Sequence, residues 1–318
     1  MFESSESGSA VLHPPELRYW GIVLGGGSGT RLGAEQPKAF VPVAGRPLLH
    51  WSVATFARHP EITDLLVVVP RGWERNVREE VLGPLSSEFP EAATKIRGVI
   101  PGGERRQDSA RLALKAAADI EEERESARRE RLRAVPQPFA DASAIEAQAL
   151  AEKPAPPPPV ALIHDAARPL VPPELITRLL AVWRGEVPEG EGIAEGLPEA
   201  PPARVSRRKP AGAPKPVGAI PIVPLGDTLK MVDRIARVGE TVRRDSLWLA
   251  QTPQVFDLAT IRQLHEQAQE VSYAVTDDAM LYEWRGYPVK TTFGSPLNIK
   301  ITFTQELSLV EGWLKLRA

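Results

Sequence analysis

The sequence of 318 residues contains no cysteine and only five histidines, and aromatic residues make up 6% of it. Without cysteine there can be no disulfide, no thiolate metal site and no cysteine nucleophile. No apolar run approaches the roughly 20 residues needed to cross a bilayer, so no membrane partner is expected. The opening residues, MFESSESGSA, lack the basic and apolar regions of a secretory signal, and a cytoplasmic location is the expectation. A formal net charge of -2, from 39 basic and 41 acidic side chains, provides no positive field for nucleic acid.

Proline, by contrast, is plentiful, with 32 residues, 14 of them concentrated in two stretches. Residues 121–159 begin EEERESARRERLRA and end AEKPAPPPP, the pattern of a solvated helix followed by a stiff polyproline-like tether. Residues 185–216 are rich in Pro, Glu, Gly and Ala, with a basic cluster at Arg204, Arg207, Arg208 and Lys209. Both are read as low-complexity insertions without chemistry of their own. They interrupt a single domain over 19–318 that follows a disordered tail, 1–18.

Between these stretches the pattern is regular. The apolar runs Tyr19 to Leu24 and Asp64 to Val69 read as buried strands, Lys95 to Ile100 is a strand candidate, and Val160 to His164 is the next strand. Helical patterns after Pro47, from Trp73 to Leu82 and from Gln107 to Ile120 separate them. The fold class is therefore α/β, a Rossmann-like and mostly parallel sheet with helices on both faces. Short alternating segments at Asp227 to Val232 and Gly239 to Val242 predict an antiparallel β-arm over about 222–248. Helices at Asp257 to Gln269, with Asp257 as N-cap, at Thr276 to Trp284 and at Gln305 to Leu316, and a strand at Pro288 to Phe293, complete the chain.

The stretch after the first strand, GGGSGTRLGAEQPK, carries the strongest chemical signal. A strand that runs into consecutive glycines exposes backbone N–H groups to an anion. The dinucleotide pattern G-x-G-x-x-G fails, because Leu32 or Thr30 stands where its last glycine should be. The Walker pattern fails too, since the loop has no Gly-Lys pair. What remains is a glycine turn with Arg31 at its far end and Lys38 seven residues on, two cations able to face one polyphosphate. A second glycine turn, Gly102-Gly103, opens a helix that carries Ser109, and Asp165 follows a strand, placed to hold a ribose hydroxyl or a Mg²⁺ with its waters. His164 reads as a hydrogen-bonded histidine at the strand end. On the residues alone, Arg244 and Lys300 read as exposed cations and Thr252 as a turn residue.

GGGSGTRL, PK, GGERRQDS, HDAARP, DTLK, Arg244, LWLAQTPQVF, TDDA and NIKIT occur in that order, and as a set the chain resembles the 2-C-methyl-D-erythritol 4-phosphate cytidylyltransferase family of nucleotidyltransferases. The likeness covers Tyr19 to Ile120 and Val160 to Trp313 apart from the second insertion. It implies that Gly25, Gly26, Gly27 and Gly29 hold the triphosphate of CTP, that Arg31 and Lys38 stabilise the transition state, and that Gly103, Ser109, Asp165 and Ala166 surround cytidine. It further implies that Thr228, Arg244, Thr252, Lys300 and Arg168 serve the polyol phosphate, with Arg244 and Lys300 positioning it for attack. Mg²⁺ is the implied cofactor, with Asp165 its candidate protein contact through the phosphates. A homodimer is implied, the arm of one subunit reaching the site of the other. The chain departs from the usual family pattern in having Leu24-Gly25-Gly26-Gly27 in place of Pro-Ala-Ala-Gly, and Glu104 in place of Asp. Two other readings stand beside this one, a ribitol 5-phosphate cytidylyltransferase and a non-catalytic nucleotide-binding scaffold.

Overall fold

Strand β1 (Tyr19–Leu24) shows why the sheet lies inside the molecule. Successive side chains of a strand point to opposite faces, and here both sets are apolar. Tyr19 and Val23 join one core while Trp20, Ile22 and Leu24 join another. The computed structural model of the chain describes residues 17–26, 36–134, 157–187 and 217–317.

After β1 come a small hairpin, β2 (Pro42–Val43) and β3 (Arg46–Pro47), helix α1 (Leu48–Arg58) and β4 (Asp64–Val69). A helical stretch follows as α2 (Glu74–Asn76), a π-helical turn Val77–Leu82, α3 (Gly83–Glu88) and α4 (Pro90–Ala93). Then come β5 (Ile96–Pro101), the 29-residue α5 (Arg106–Ala134), β6 (Val160–Asp165) and α6 (Pro173–Arg184). The remainder is β7 (Gly218–Pro224), β8 (Leu229–Val232), β9 (Val238–Val242), β10 (Trp248–Ala250), β11 (Gln254–Asp257), α7 (Leu258–Glu270), α8 (Ala279–Trp284), β12 (Val289–Phe293) and α9 (Gln305–Arg317).

Among the described residues the main sheet has eight strands. β5, β4, β1 and β6 run parallel in that spatial order, β11 pairs antiparallel with β6, and β7 lies beyond it with β12 parallel on its far side. β10 and β11 pair with one edge of β7 in succession, β10 at Ile222 to Pro224 and β11 at Ala219. β8 and β9 form a separate antiparallel hairpin, the expected arm. One core, under α1 and α6, takes Leu65, Val67 and Val69 of β4; the other, under α5 and α7, takes Leu66 and Val68. Gly21 lets α1 come close, since a Cβ there would stand 2.8 Å from Phe56. A third cluster joins Val43 and Leu48 to Ile301, Val310 and Leu314 and so seats α9 and the segment before it against the hairpin. Among the described residues no helix is long and apolar enough to cross a membrane.

Three expectations need correction and one further element, α6, joins the fold. The first turns of the segment from residue 121 are not simply on solvent: α5 continues to Ala134, Glu121 is buried and accepts from Trp20 Nε1 at 3.0 Å, and Arg124 reaches Asp64 at 2.7 Å. Helix α6 was not expected, although Leu175, Ile176, Leu179 and Leu180 give it an apolar face. Gly185, taken as the start of the second insertion, is the left-handed cap of α6 at φ 78°, a conformation that glycine adopts without a Cβ penalty. At the N-terminus Leu17 packs on the core and Arg18 pairs with Glu121, so order begins before Tyr19. Residues 135–156 and 188–216 lie outside the described residues.

Candidate active site

From β1 the chain crosses to β4 on one side, while β6 lies on the other. In such a sheet the crevice at the carboxyl ends of these strands is where ligands bind. Leu24 and Asp165 are partners in the register there, and Gly25 and Gly26 continue β1 beyond the sheet. Gly25 N–H donates to the Val68 carbonyl at 2.7 Å, and a Cβ on Gly25 would sit 2.9 Å from that oxygen. A Cβ on Gly26 would meet Ser109 Oγ at 2.9 Å. The second glycine turn converges on the same hydroxyl: Gly103 N–H donates to Ser109 Oγ at 3.1 Å. Glycine is thus required because two loops and the first turn of α5 meet at one point.

A cleft of about 180 Å³ opens at this point, with Gly25, Gly26, Lys38, Ser109, Asp165 and Lys300 in its wall. Ala166, Glu104 and Arg106 line it as well. Lys38 opens a short 3-10 turn anchored by buried Phe40, whose ring lies 4.6 Å from that of Trp73. Its Nζ donates to the Ile301 carbonyl, which brings it beside the segment carrying Lys300. Ile301 N–H in turn donates to the Ala167 carbonyl at 2.8 Å, fixing that segment to the end of β6.

Asp165 is the electrostatic centre. Its Oδ1 accepts from Arg106 Nε at 2.7 Å and its Oδ2 from Lys300 Nζ at 2.6 Å. Burial alone would raise its carboxyl, but the charges of Arg106 and Lys300 outweigh it and hold the group well below the usual carboxylate range. Arg106 also pairs through its second nitrogen with Asp278 Oδ2 at 2.8 Å, and Asp278 Oδ1 lies 3.0 Å from His265 Nε2. Burial pushes Asp278 up too, yet Arg106 and then His265 bring it down to about 2. Asp165 N–H donates to Thr252 Oγ1 at 3.0 Å, and that hydroxyl meets His164 Nδ1 at 3.1 Å. His164 Nε2 lies 3.2 Å from the Arg168 carbonyl, which only accepts, so Nε2 carries the proton and Nδ1 takes the threonine's. Burial lowers His164 to about 4, and its bonds to Thr252 and Arg168 make it the hydrogen-bonded strand-end histidine expected.

Of the residues named from the sequence, Gly25, Gly26, Lys38, Ser109, Asp165, Ala166 and Lys300 share this cleft, and Gly103 reaches it through Ser109. Arg31, Gly27 and Gly29 lie outside the described residues. Thr252 is buried with its hydroxyl engaged by Asp165 and His164, so it shapes the site from behind. Arg168 spends its guanidinium on the carbonyls of Asn298 at 2.7 Å and Ala250 at 3.3 Å, bracing the segment that presents Lys300. Thr228 and Arg244 are exposed at the base of the arm, Arg244 donating to the Gly226 carbonyl, and neither lines the cleft of its own chain. Arg106, Asp278 and His265 were missed. The sequence offered Arg105 and Arg106 as equals; only the helix geometry turns Arg105 outward onto Asp108, at 2.9 Å, and Arg106 inward.

Two glycine turns, a lysine pair and a strand-end aspartate at the switch point of a largely parallel sheet define a nucleotidyltransferase of the α/β class. The model of the family described as 2-C-methyl-D-erythritol 4-phosphate cytidylyltransferase matches residues 20–124 and 200–316, and the chain belongs to that family. Relatives of that name include one from Syntrophotalea carbinolica, 31% identical over 293 residues that make up 92% of this chain and 94% of the relative. Another, from Syntrophus aciditrophicus, is 30% identical over 294 residues, with 92% and 94% covered. The solved 2-C-methyl-D-erythritol 4-phosphate cytidylyltransferase of Thermus thermophilus superposes with a TM-score of 0.56 at 25% identity, covering 92% of this chain and 98% of that one. The solved 4-diphosphocytidyl-2C-methyl-D-erythritolsynthase of Anaerococcus prevotii has the same fold, with a TM-score of 0.58 at 22% identity over 94% and 96% of the two chains. The chain is therefore an enzyme, a transferase of cytidylyl groups.

Proposed function

We propose that the cleft transfers CMP from CTP to 2-C-methyl-D-erythritol 4-phosphate, with the residues around it in the following parts. A phosphate oxygen of the polyol forms a bond to the α-phosphorus of CTP as the bond from that phosphorus to the bridging oxygen breaks, and pyrophosphate leaves with the electron pair. The attacking monoester is already largely ionised near neutral pH, so no general base is needed. Positioning and neutralising charge are the main demands. The amide of Gly26, with the turn that Gly25 opens and with Gly27 and Gly29, is assigned to the triphosphate, and Arg31 and Lys38 to the charge that develops on it. Gly103, Ser109, Asp165 and Ala166 take the nucleoside. Lys300 receives the polyol phosphate.

The observation that carries this reading is the convergence of Lys38, Ser109, Asp165 and Lys300, drawn from four separate parts of the chain, on one cleft at the switch point. Among the described residues the carboxylates of the cleft are Asp165 and, exposed at the rim, Glu104, a set that fits a Mg²⁺ held chiefly by phosphate oxygens and water. Such an ion would supply positive charge between the phosphates. We assign the β8–β9 arm, which exposes Met231, Val232, Ile235 and Val238, to a second copy of the chain, carrying Thr228 and Arg244 to the partner's polyol phosphate. A cytoplasmic location belongs to this reading, and a net charge of -2 favours no nucleic-acid partner.

Pyrophosphate release with CTP and Mg²⁺ tests the assignment. Turnover with 2-C-methyl-D-erythritol 4-phosphate is expected to exceed that with ribitol 5-phosphate; the reverse order overturns the choice of polyol, and CTP binding without turnover would favour a scaffold.

A further inference from the structure

The two cations on Asp165 are not equivalent. Arg106 is 24% exposed and gripped twice, by Asp165 at 2.7 Å and by Asp278 at 2.8 Å. Asp278 is fully buried, meets His265 on its other oxygen, and has its backbone N–H bound by Gln254 Oε1 at 3.1 Å. The neighbouring Gln107 pins the same turn of α5 to the Tyr273 carbonyl at 3.0 Å and to the Val275 N–H at 3.2 Å. Arg106 therefore cannot leave Asp165 without stripping a second buried carboxylate of its counter-charge. Lys300 is 46% exposed, and its ammonium, on a flexible stem, can swing away from Asp165.

We propose that Arg106 is a positioning residue, the fixed counter-charge of Asp165 that frees Lys300 to pass from that carboxylate to the phosphate of the polyol. The inference rests on the assignment of Lys300 to that phosphate. A buried carboxylate with no other cation would retain the lysine, because an unpaired charge at such a site is strongly unfavourable. Arg105 cannot substitute, since its guanidinium is forked onto Asp108 on the outer side of the helix. The chain from His265 through Asp278 and Arg106 to Asp165 serves to keep one cation in place so that the other can move.

The test is a double-mutant cycle between Arg106→Gln and Lys300→Ala, read as the KM for 2-C-methyl-D-erythritol 4-phosphate at saturating CTP and Mg²⁺. In the otherwise native enzyme Lys300→Ala is expected to raise this KM roughly 100-fold, as for loss of a charged partner. In the Arg106→Gln background KM starts high, and Lys300→Ala adds less than about tenfold because the lysine is already withheld. Equal increments in the two backgrounds would overturn the inference, since a purely structural Arg106 acts independently of Lys300. An unchanged KM for Lys300→Ala alone would instead overturn the assignment of Lys300. Should Arg106→Gln not fold, Arg106→Gln with Asp278→Asn leaves no carboxylate at position 278 to be stranded, and the same cycle is read there with the same outcomes.

Discussion

Arg106 and Arg124 stand on one helix and each grips a buried aspartate, but at opposite ends of the sheet. Eighteen residues of α5 separate them, about 27 Å at the rise of an α-helix. Asp165 closes β6, and Asp64 opens β4. Asp64 is paired with Arg97 and Arg124 and accepts from the Thr63 hydroxyl at 2.9 Å. Burial works to raise its carboxyl, but the hydrogen bonds from Arg124 and Arg97 hold it below the ordinary value, as Arg106 and Lys300 do for Asp165. The ingredients match. What differs is that the Asp165 cluster faces glycine turns and a cleft into which its half-exposed lysine can move, whereas the Asp64 cluster packs against Trp20 and Glu121 and its exposed cation, Arg97, faces solvent. Charge density alone does not mark an active site; a cation able to move toward a cavity does.

Substitutions at the two ends should separate chemistry from stability. The largest effect is expected from Lys38→Ala, a fall in kcat on the order of 10²–10³ by loss of a transition-state donor, with the thermal midpoint shifted by no more than about 4 °C. Next, Asp64→Ala strands two arginines and should cost about 3 kcal/mol of unfolding free energy in urea, while kcat/KM stays within about twofold. Asp165→Ala should instead raise the KM for CTP by about 30-fold, the loss expected for a charged group in contact with the ligand. If Asp64→Ala abolished turnover in a still-folded protein, the contrast between the two ends would fail. Acid supplies a smaller lever. The native Asp64 carboxyl lies below its unfolded value of about 4, so its contribution is whole above that pH and is lost as pH falls through the native value. Asp64→Asn should therefore be less stable than the native chain at pH 7 and approach it in acid, flattening the acid limb of a thermal-midpoint profile.

The sequence made the frame legible because its strands are apolar on both faces, as β1 and β4 are, and because Asp257 caps its helix, accepting from Thr260 N–H at 2.7 Å. It made the glycine turns, Lys38, Ser109 and Asp165 legible because they cluster in short segments after strands. It could not separate Arg105 from Arg106, which are adjacent in the chain and face opposite ways at the start of a helix. Nor could it place His265 and Asp278, thirteen residues apart, against a helix more than 150 residues earlier. The run after residue 121 misled for a related reason: its composition is that of a solvated helix, and only the passage of α5 past β1 and β4 buries Glu121 and brings Arg124 onto Asp64.

The finest division between the two ends falls at Trp20. Its indole is fully buried beneath α5, its Nε1 donates to Glu121 Oε1 at 3.0 Å, and Arg124 lies 5.5 Å over its ring. Trp20→Phe keeps an aromatic in the core but removes the donor. Glu121 retains Arg18 and Arg124 as partners, so its charge is not stranded. The expected cost is about 1 kcal/mol for the hydrogen bond and about 1 kcal/mol more for lost ring contacts, measured by urea unfolding. Both KM values should be unchanged, since Trp20 touches the cluster at Asp64's end and not the one at Asp165. A rise in the KM for CTP in this variant would mean that α5 transmits strain from one aspartate to the other, and the two clusters would then have to be treated as a single coupled unit.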